Sequence, residues 1–163
     1  MNDAEHIKKR NSKNKFLTYF LGEEEYGVDI SQVREIIAMM KITPVPKTPK
    51  YVAGVINLRG AIIPVIDTRL RFDMPSLEYT EQTAIIIIEI NKVSIGFVVD
   101  KVEEVLTIDE ANISEPPKFG TNINTDFIRN IARIGEMVIM ILDLEKLFEA
   151  EELSMLDSIA KIN

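Results

Sequence analysis

The chain has 163 residues, of which 46% are hydrophobic and 28% charged, a composition that supports a buried core and argues against wholesale disorder. It holds no cysteine and a single histidine, His6, so disulfides, thiolate nucleophiles, Cys-ligated metal sites and Ser-His-Asp sets are excluded. The net charge of −7 opposes association with phosphate backbones. The longest apolar run, Ala84 to Ile88, stops at Glu89, far short of the roughly 18 residues a membrane helix needs.

Residues 1–14 read as a flexible polar tail. Lys8, Lys9, Arg10, Lys13 and Lys15 against Asp3 and Glu5 give the first fifteen residues +3 and leave −10 on the rest. No apolar segment of signal-peptide type occurs there, so a cytoplasmic location is expected.

Two similar halves follow, Phe16 to Phe72 and Thr83 to Phe148. Each opens on a β-rich run, Phe16-Leu17-Thr18-Tyr19-Phe20-Leu21 in one and Ala84-Ile85-Ile86-Ile87-Ile88-Glu89-Ile90 in the other. After a polar turn, Tyr26 to Ile36 aligns with Ile95 to Val105 at a constant offset of 69. Val55 to Gly60 meets Asn130 to Gly135 at an offset of 75, and Ala61 to Asp67 meets Glu136 to Asp143 with one residue inserted. About five short strands per half, broken by Gly, Asn and Pro, bury their faces best by curling into a small barrel.

Gly27 and Gly96 suit a barrel corner where a side chain would collide. Pro64 is expected at a bulge or a solvent-facing edge. Pro44, Pro46 and Pro49 mark an extended linker in the first half, and Glu115-Pro116-Pro117 its equivalent in the second. Asp67 and Asp143 are expected as N-caps of short helical pieces. Leu153, Leu156 and Ile159 fall on one face of a C-terminal helix packed on the body. The expected fold is therefore all-β with a few short helices. It consists of two five-stranded barrels over residues 15–80 and 81–149, with 150–163 as the closing helix.

The search for chemistry finds no phosphate-cradling GxxxxGK[ST] or GxGxxG and no Asp-x-Asp-x-Asp-Gly spacing. Glu23-Glu24-Glu25, Glu103-Glu104 and Glu149, Glu151 and Glu152 fall in turns or at helix ends, where solvation explains them. Phe16, Tyr19, Phe20 and Tyr26 lie at strand spacing and read as core rather than as a nucleic-acid stacking platform. No catalytic residue, cofactor or metal is expected. A small-molecule-binding barrel, or an enzyme with an unrecognised carboxylate site, is the alternative to a binding adaptor; a nucleic-acid-binding barrel is opposed by the acidic balance.

Leu21 to Ile30, Val33-Arg34-Glu35-Ile36, Val55-Ile56-Asn57-Leu58-Arg59-Gly60, Ile63-Pro64-Val65-Ile66-Asp67, Ile95 to Val102 and Glu151 to Asp157 together resemble the CheW family over residues 15–160. That resemblance implies two SH3-like barrels. It also implies an adaptor role between the cytoplasmic tips of chemoreceptors (methyl-accepting chemotaxis proteins) and the regulatory domain of the histidine kinase CheA. CheA and CheV themselves need further domains that 163 residues do not hold. The resemblance places a receptor groove between the barrels at Val33, Glu35, Gly54, Arg59, Ala84 and Val105. Val33 and Val105 read equally well as core, and Arg59 as a solvated turn residue. A kinase or array contact is implied at Phe119, while Ser114 departs from the basic residue expected near it.

Overall fold

The computed structural model describes residues 14–116 and 126–161. The first half runs through β1 (Lys15–Leu21), β2 (Glu24–Asp29), a 3-10 turn (Ile30–Gln32), β3 (Val33–Ala38), β4 (Val52–Leu58), β5 (Ala61–Asp67) and the one-turn helix α1 (Thr68–Arg71). The second half contains β6 (Ala84–Ile90), β7 (Val93–Val99), β8 (Lys101–Thr107), the two-residue β9 (Ile113–Ser114), β10 (Ile128–Ile134) and β11 (Met137–Leu142). The chain then enters a 3-10 turn (Leu144–Lys146) and the C-terminal helix α2 (Ala150–Ala160). Asp67 and Asp143 act as caps: Asp67 Oδ1 accepts from the Leu70 amide at 3.2 Å and Asp143 Oδ1 from the Glu145 amide at 3.1 Å.

The strands form two sheets, and neither is made by one half alone. One has the order β8-β1-β2-β11-β10-β9 and the other β3-β6-β7-β5-β4. The β1–β2 hairpin of the first half thus joins β8 to β11 of the second, while the β6–β7 hairpin joins β3 to β5. The repeat boundary near residue 80 and the boundary between sheets are different surfaces. The second sheet has the expected five strands; the first gains a sixth, the short β9.

Pairing registers reproduce the repeat. Leu17 faces Val28 and Val105, and 69 residues on Ile86 faces Phe97 and, correspondingly, Ile36. For the later hairpins the pair Ile56–Ile63 maps onto Ala132–Ile139, an offset of 76 rather than the 75 read from Val55–Gly60. The two glycines that suggested 75 stand at different places in their turns. Gly60 is the second residue between Leu58 and Ala61, and Gly135 the first between Ile134 and Met137.

Three apolar clusters explain the strand composition. Ile56, Ile63, Val65, Ile85, Ile87 and Val98 fill the five-stranded barrel. Phe16, Ile108, Ala132, Ile139 and Ile141 fill the other. The largest cluster lies between them and takes Leu17, Tyr19, Ile86, Ile88, Phe97 and Val99 together with Leu156 and Ile159 of α2. A strand inserted between a barrel interior and a shared core is covered on both faces. That is why Ile85 to Ile88 is uninterrupted rather than alternating.

Gly96 behaves as expected: a β-carbon there would lie 2.9 Å from Ile85 Cγ2. Pro64 does not. It is buried on β5, an interior strand between β4 and β7. Its partner Val55 turns its own N–H and C=O toward Thr43, so the missing N–H of Pro64 points away from β4, and pairing with β7 begins only at Val65. No ladder bond is lost, which is what permits a central proline here.

Candidate partner-docking site

β3 carries Val33, Glu35 and Ile36 along one sheet edge. Val33 is half-buried against the shared core. A bulge follows, because Arg34 and Glu35 together oppose Ile87, between the Val33–Ile88 and Ile36–Ile86 pairs. The bulge aims Glu35 at the β4–β5 turn, where Arg59 and Gly60 both have positive φ (51° and 89°), the requirement of a tight two-residue hairpin. Asn57 Oδ1 accepts from the Gly60 amide at 2.8 Å and fixes that turn. Arg59 Nη2 then donates to Glu35 Oε2 at 2.5 Å, with the arginine side chain 69% exposed. The hydrogen bond from Arg59 draws the Glu35 carboxyl below its ordinary range, and Glu35 in turn raises the guanidinium.

The remaining candidates divide. Gly54 is buried on β4, and Ala84 is half-buried on β6 opposite Ala38 and Val99, both in the same sheet as β3. Val105 lies on β8, at the edge of the other sheet, and is 52% exposed. The structure therefore brings Glu35 and Arg59 into contact and sets Val33, Gly54 and Ala84 in their sheet, with Val105 apart from it. Ser114 forms β9 and donates to the Ile131 carbonyl at 3.3 Å. Phe119 lies outside the described residues.

Ile36 was missed. It is 45% exposed and is the repeat equivalent of Val105, so the offset of 69 carried the signal. Beside it, Met39, Met40, Ile42, Ala53 and Tyr79 line a shallow depression of about 580 Å³. The edge of β3 thus presents an apolar strip next to an exposed ion pair, an arrangement suited to holding a protein surface. Among the described residues no cluster of three or more His, Asp or Glu is arranged to hold a metal ion.

Comparisons with known proteins decide the family. A model described as CheW-like domain matches residues 15–152. The chain belongs to the CheW-like family. The chemotaxis protein CheW of Klebsiella aerogenes is 37% identical over 146 residues, covering 90% of this chain and 88% of that protein. The CheW protein of Rhizobium meliloti is 33% identical over 151 residues, covering 93% and 96%. Among solved structures, the scaffolding protein TtCheW from Thermoanaerobacter tengcongensis superposes with a TM-score of 0.77 at 42% identity, covering 85% of this chain and 94% of that one. The two rolled sheets are accordingly the SH3-like pair of a CheW-type chemotaxis scaffold. No helix among the described residues is long and apolar enough to cross a membrane.

Proposed function

We infer that this CheW-type chain couples the cytoplasmic tips of chemoreceptors to the regulatory domain of the kinase CheA, within receptor arrays on the inner face of the membrane. It acts by contact rather than turnover, shifting the kinase between conformational populations. The observation that carries this reading is the exposed Glu35–Arg59 pair set on a bulged edge beside Val33 and Ile36. A helical receptor tip laid along that strip covers the apolar residues, and the ion pair sets its orientation. Gly54 and Ala84 belong to this groove from the same sheet, and Val105 faces it from the six-stranded barrel. Phe119 belongs to a separate kinase or array contact.

Glu25, Glu35 and Asp100, the carboxylates with shifted acidity, stand apart in the chain, on β2, on β3 and after β7. The test is Arg59→Glu in a reconstituted assembly of receptor membranes, kinase and this protein. The side chain is exposed and points to solvent, so the variant keeps its thermal midpoint while receptor co-sedimentation falls about tenfold, equivalent to about 1.4 kcal/mol. Normal coupling by Arg59→Glu overturns the assignment.

A further inference from the structure

The internal repeat allows one barrel rim to be compared with the other. In the five-stranded sheet the bulge carries Arg34 and Glu35 opposite Ile87. Arg34 Nη1 donates to Ser94 Oγ at 3.0 Å and lies 3.7 Å from Glu89, while Glu35 is paired with Arg59. Two cations meet two carboxylates, and the rim is electrically closed.

The same bulge recurs in the six-stranded sheet, where Glu103 and Glu104 oppose Thr18 between the Leu17–Val105 and Tyr19–Val102 pairs. Here Arg34 is replaced by Glu103, Ser94 by Glu25, and the turn position of Arg59 by Gly135. Both internal cations are gone, Glu103 and Glu25 bring in two carboxylates, and Phe20 stands where the other rim has Glu89. Lys101 reaches Glu103 at 3.2 Å, and among the described residues no cation pairs with Glu25 or Glu104. Glu25 is only 4% exposed and its Oε2 has no hydrogen-bond partner. A buried carboxylate oxygen left unpaired is costly unless a counter-charge arrives.

We propose that the rim formed by Glu25, Glu103 and Glu104 receives an arginine or lysine side chain of a partner protein, which supplies from outside the cation that Arg34 supplies internally at the equivalent rim. Burial raises the Glu25 carboxyl and the charges of Glu103 and Glu104 raise it further, with Thr18 opposing. An incoming cation offsets the burial of Glu25 and the repulsion from Glu103 and Glu104. An exposed apolar residue flanks the rim and marks the ligand as protein-borne. Met137 precedes by two residues the Ile139 that pairs with Glu25, placing it on the same strand face.

Carboxyl-resolved NMR of the full chain tests this with three probes: N-acetyl-arginine amide, a short peptide placing arginine beside leucine, and spermidine. The Glu25, Glu103 and Glu104 signals move selectively, the peptide binds at least tenfold more tightly than the amide, and Glu103→Arg, which rebuilds the closed rim, abolishes the response. Glu103→Gln weakens it while leaving the surface otherwise intact. Uniform movement of all exposed glutamates, or an unchanged response in both variants, overturns the site. Spermidine binding as tightly as the peptide overturns the protein-borne ligand.

Discussion

At Gly54 the backbone φ is +147°, and a β-carbon built there would lie 2.2 Å from the Thr43 carbonyl oxygen. That carbonyl accepts from the Val55 amide at 2.9 Å, and the Thr43 amide donates back to Val55 at 2.8 Å, so the linker after β3 is stitched to β4 through this glycine. Gly54→Ala therefore combines a backbone clash with a conformation that L side chains avoid, and a loss of about 2–4 kcal/mol in a urea melt is expected. Receptor binding is lost with it, through the fold rather than through a missing contact. A wild-type urea midpoint in Gly54→Ala refutes this account. Glu35 and Arg59 contrast with Gly54, since Glu35 is half-buried and Arg59 exposed, and their pairing is legible only as spatial proximity. The motif Asn57-Leu58-Arg59-Gly60 announces a turn, but the partner of Arg59 stands 24 residues away. Sequence named both residues through family resemblance, and physics alone left Arg59 a solvated turn residue.

An eleven-residue helix is marginal by itself, so α2 exists because of what it packs on. Leu153, Leu156 and Ile159 are buried in the shared core, as their three-residue spacing indicated. What the spacing could not show is the polar clamp. Arg71 Nη2 donates to the Leu147 carbonyl and lies 3.2 Å from Glu152, and its guanidinium sits 4.9 Å from the Tyr51 ring and 5.0 Å from that of Phe148. Tyr51 donates its hydroxyl to Glu152 Oε2 at 2.6 Å, and Glu152 Oε1 also accepts from the Glu149 amide at the helix start. One carboxylate thus closes the capping box and ties α2 to both α1 and the linker. Arg71→Ala leaves Glu152 half-buried without its cation and removes two ring contacts. Local opening of α2 becomes easier by about 2 kcal/mol, read as faster amide exchange over residues 150–160 with core strands unaffected. Equal exchange in wild type and variant shows that the apolar face alone holds the helix.

Strand existence and the twofold repeat were readable because both follow from local composition and from matching side chains at a fixed offset. The exchange of hairpins between the halves was not. A repeat unit buries the same residues whether its hairpin joins its own later strands or those of its twin, so hydrophobic pattern is indifferent to the choice. The exchange makes the relation between barrels depend on groups that cross it. Asp100, between β7 and β8, accepts from Arg69 Nη2 at 2.5 Å and Nε at 2.9 Å and from the Gly22 amide at 2.6 Å, so it joins α1, the β1–β2 turn and the second half. Arg69 is only 9% exposed. Burial raises the Asp100 carboxyl, but the hydrogen bonds from Arg69 and Gly22 outweigh it and leave the group below the usual aspartate value. A carboxyl depressed in the folded state stabilises above its unfolded pKa, near 3.9, and loses that contribution as pH falls through the folded value. Asp100→Asn strands the Arg69 charge, so at pH 7 the variant is expected to unfold about 3 kcal/mol more easily than wild type. The urea midpoints of the two proteins converge on acidification below the ordinary aspartate range, where wild-type Asp100 takes up its proton. A gap that stays constant from neutral to strongly acidic pH means that packing around residue 100, and not the ion pair, joins the two barrels.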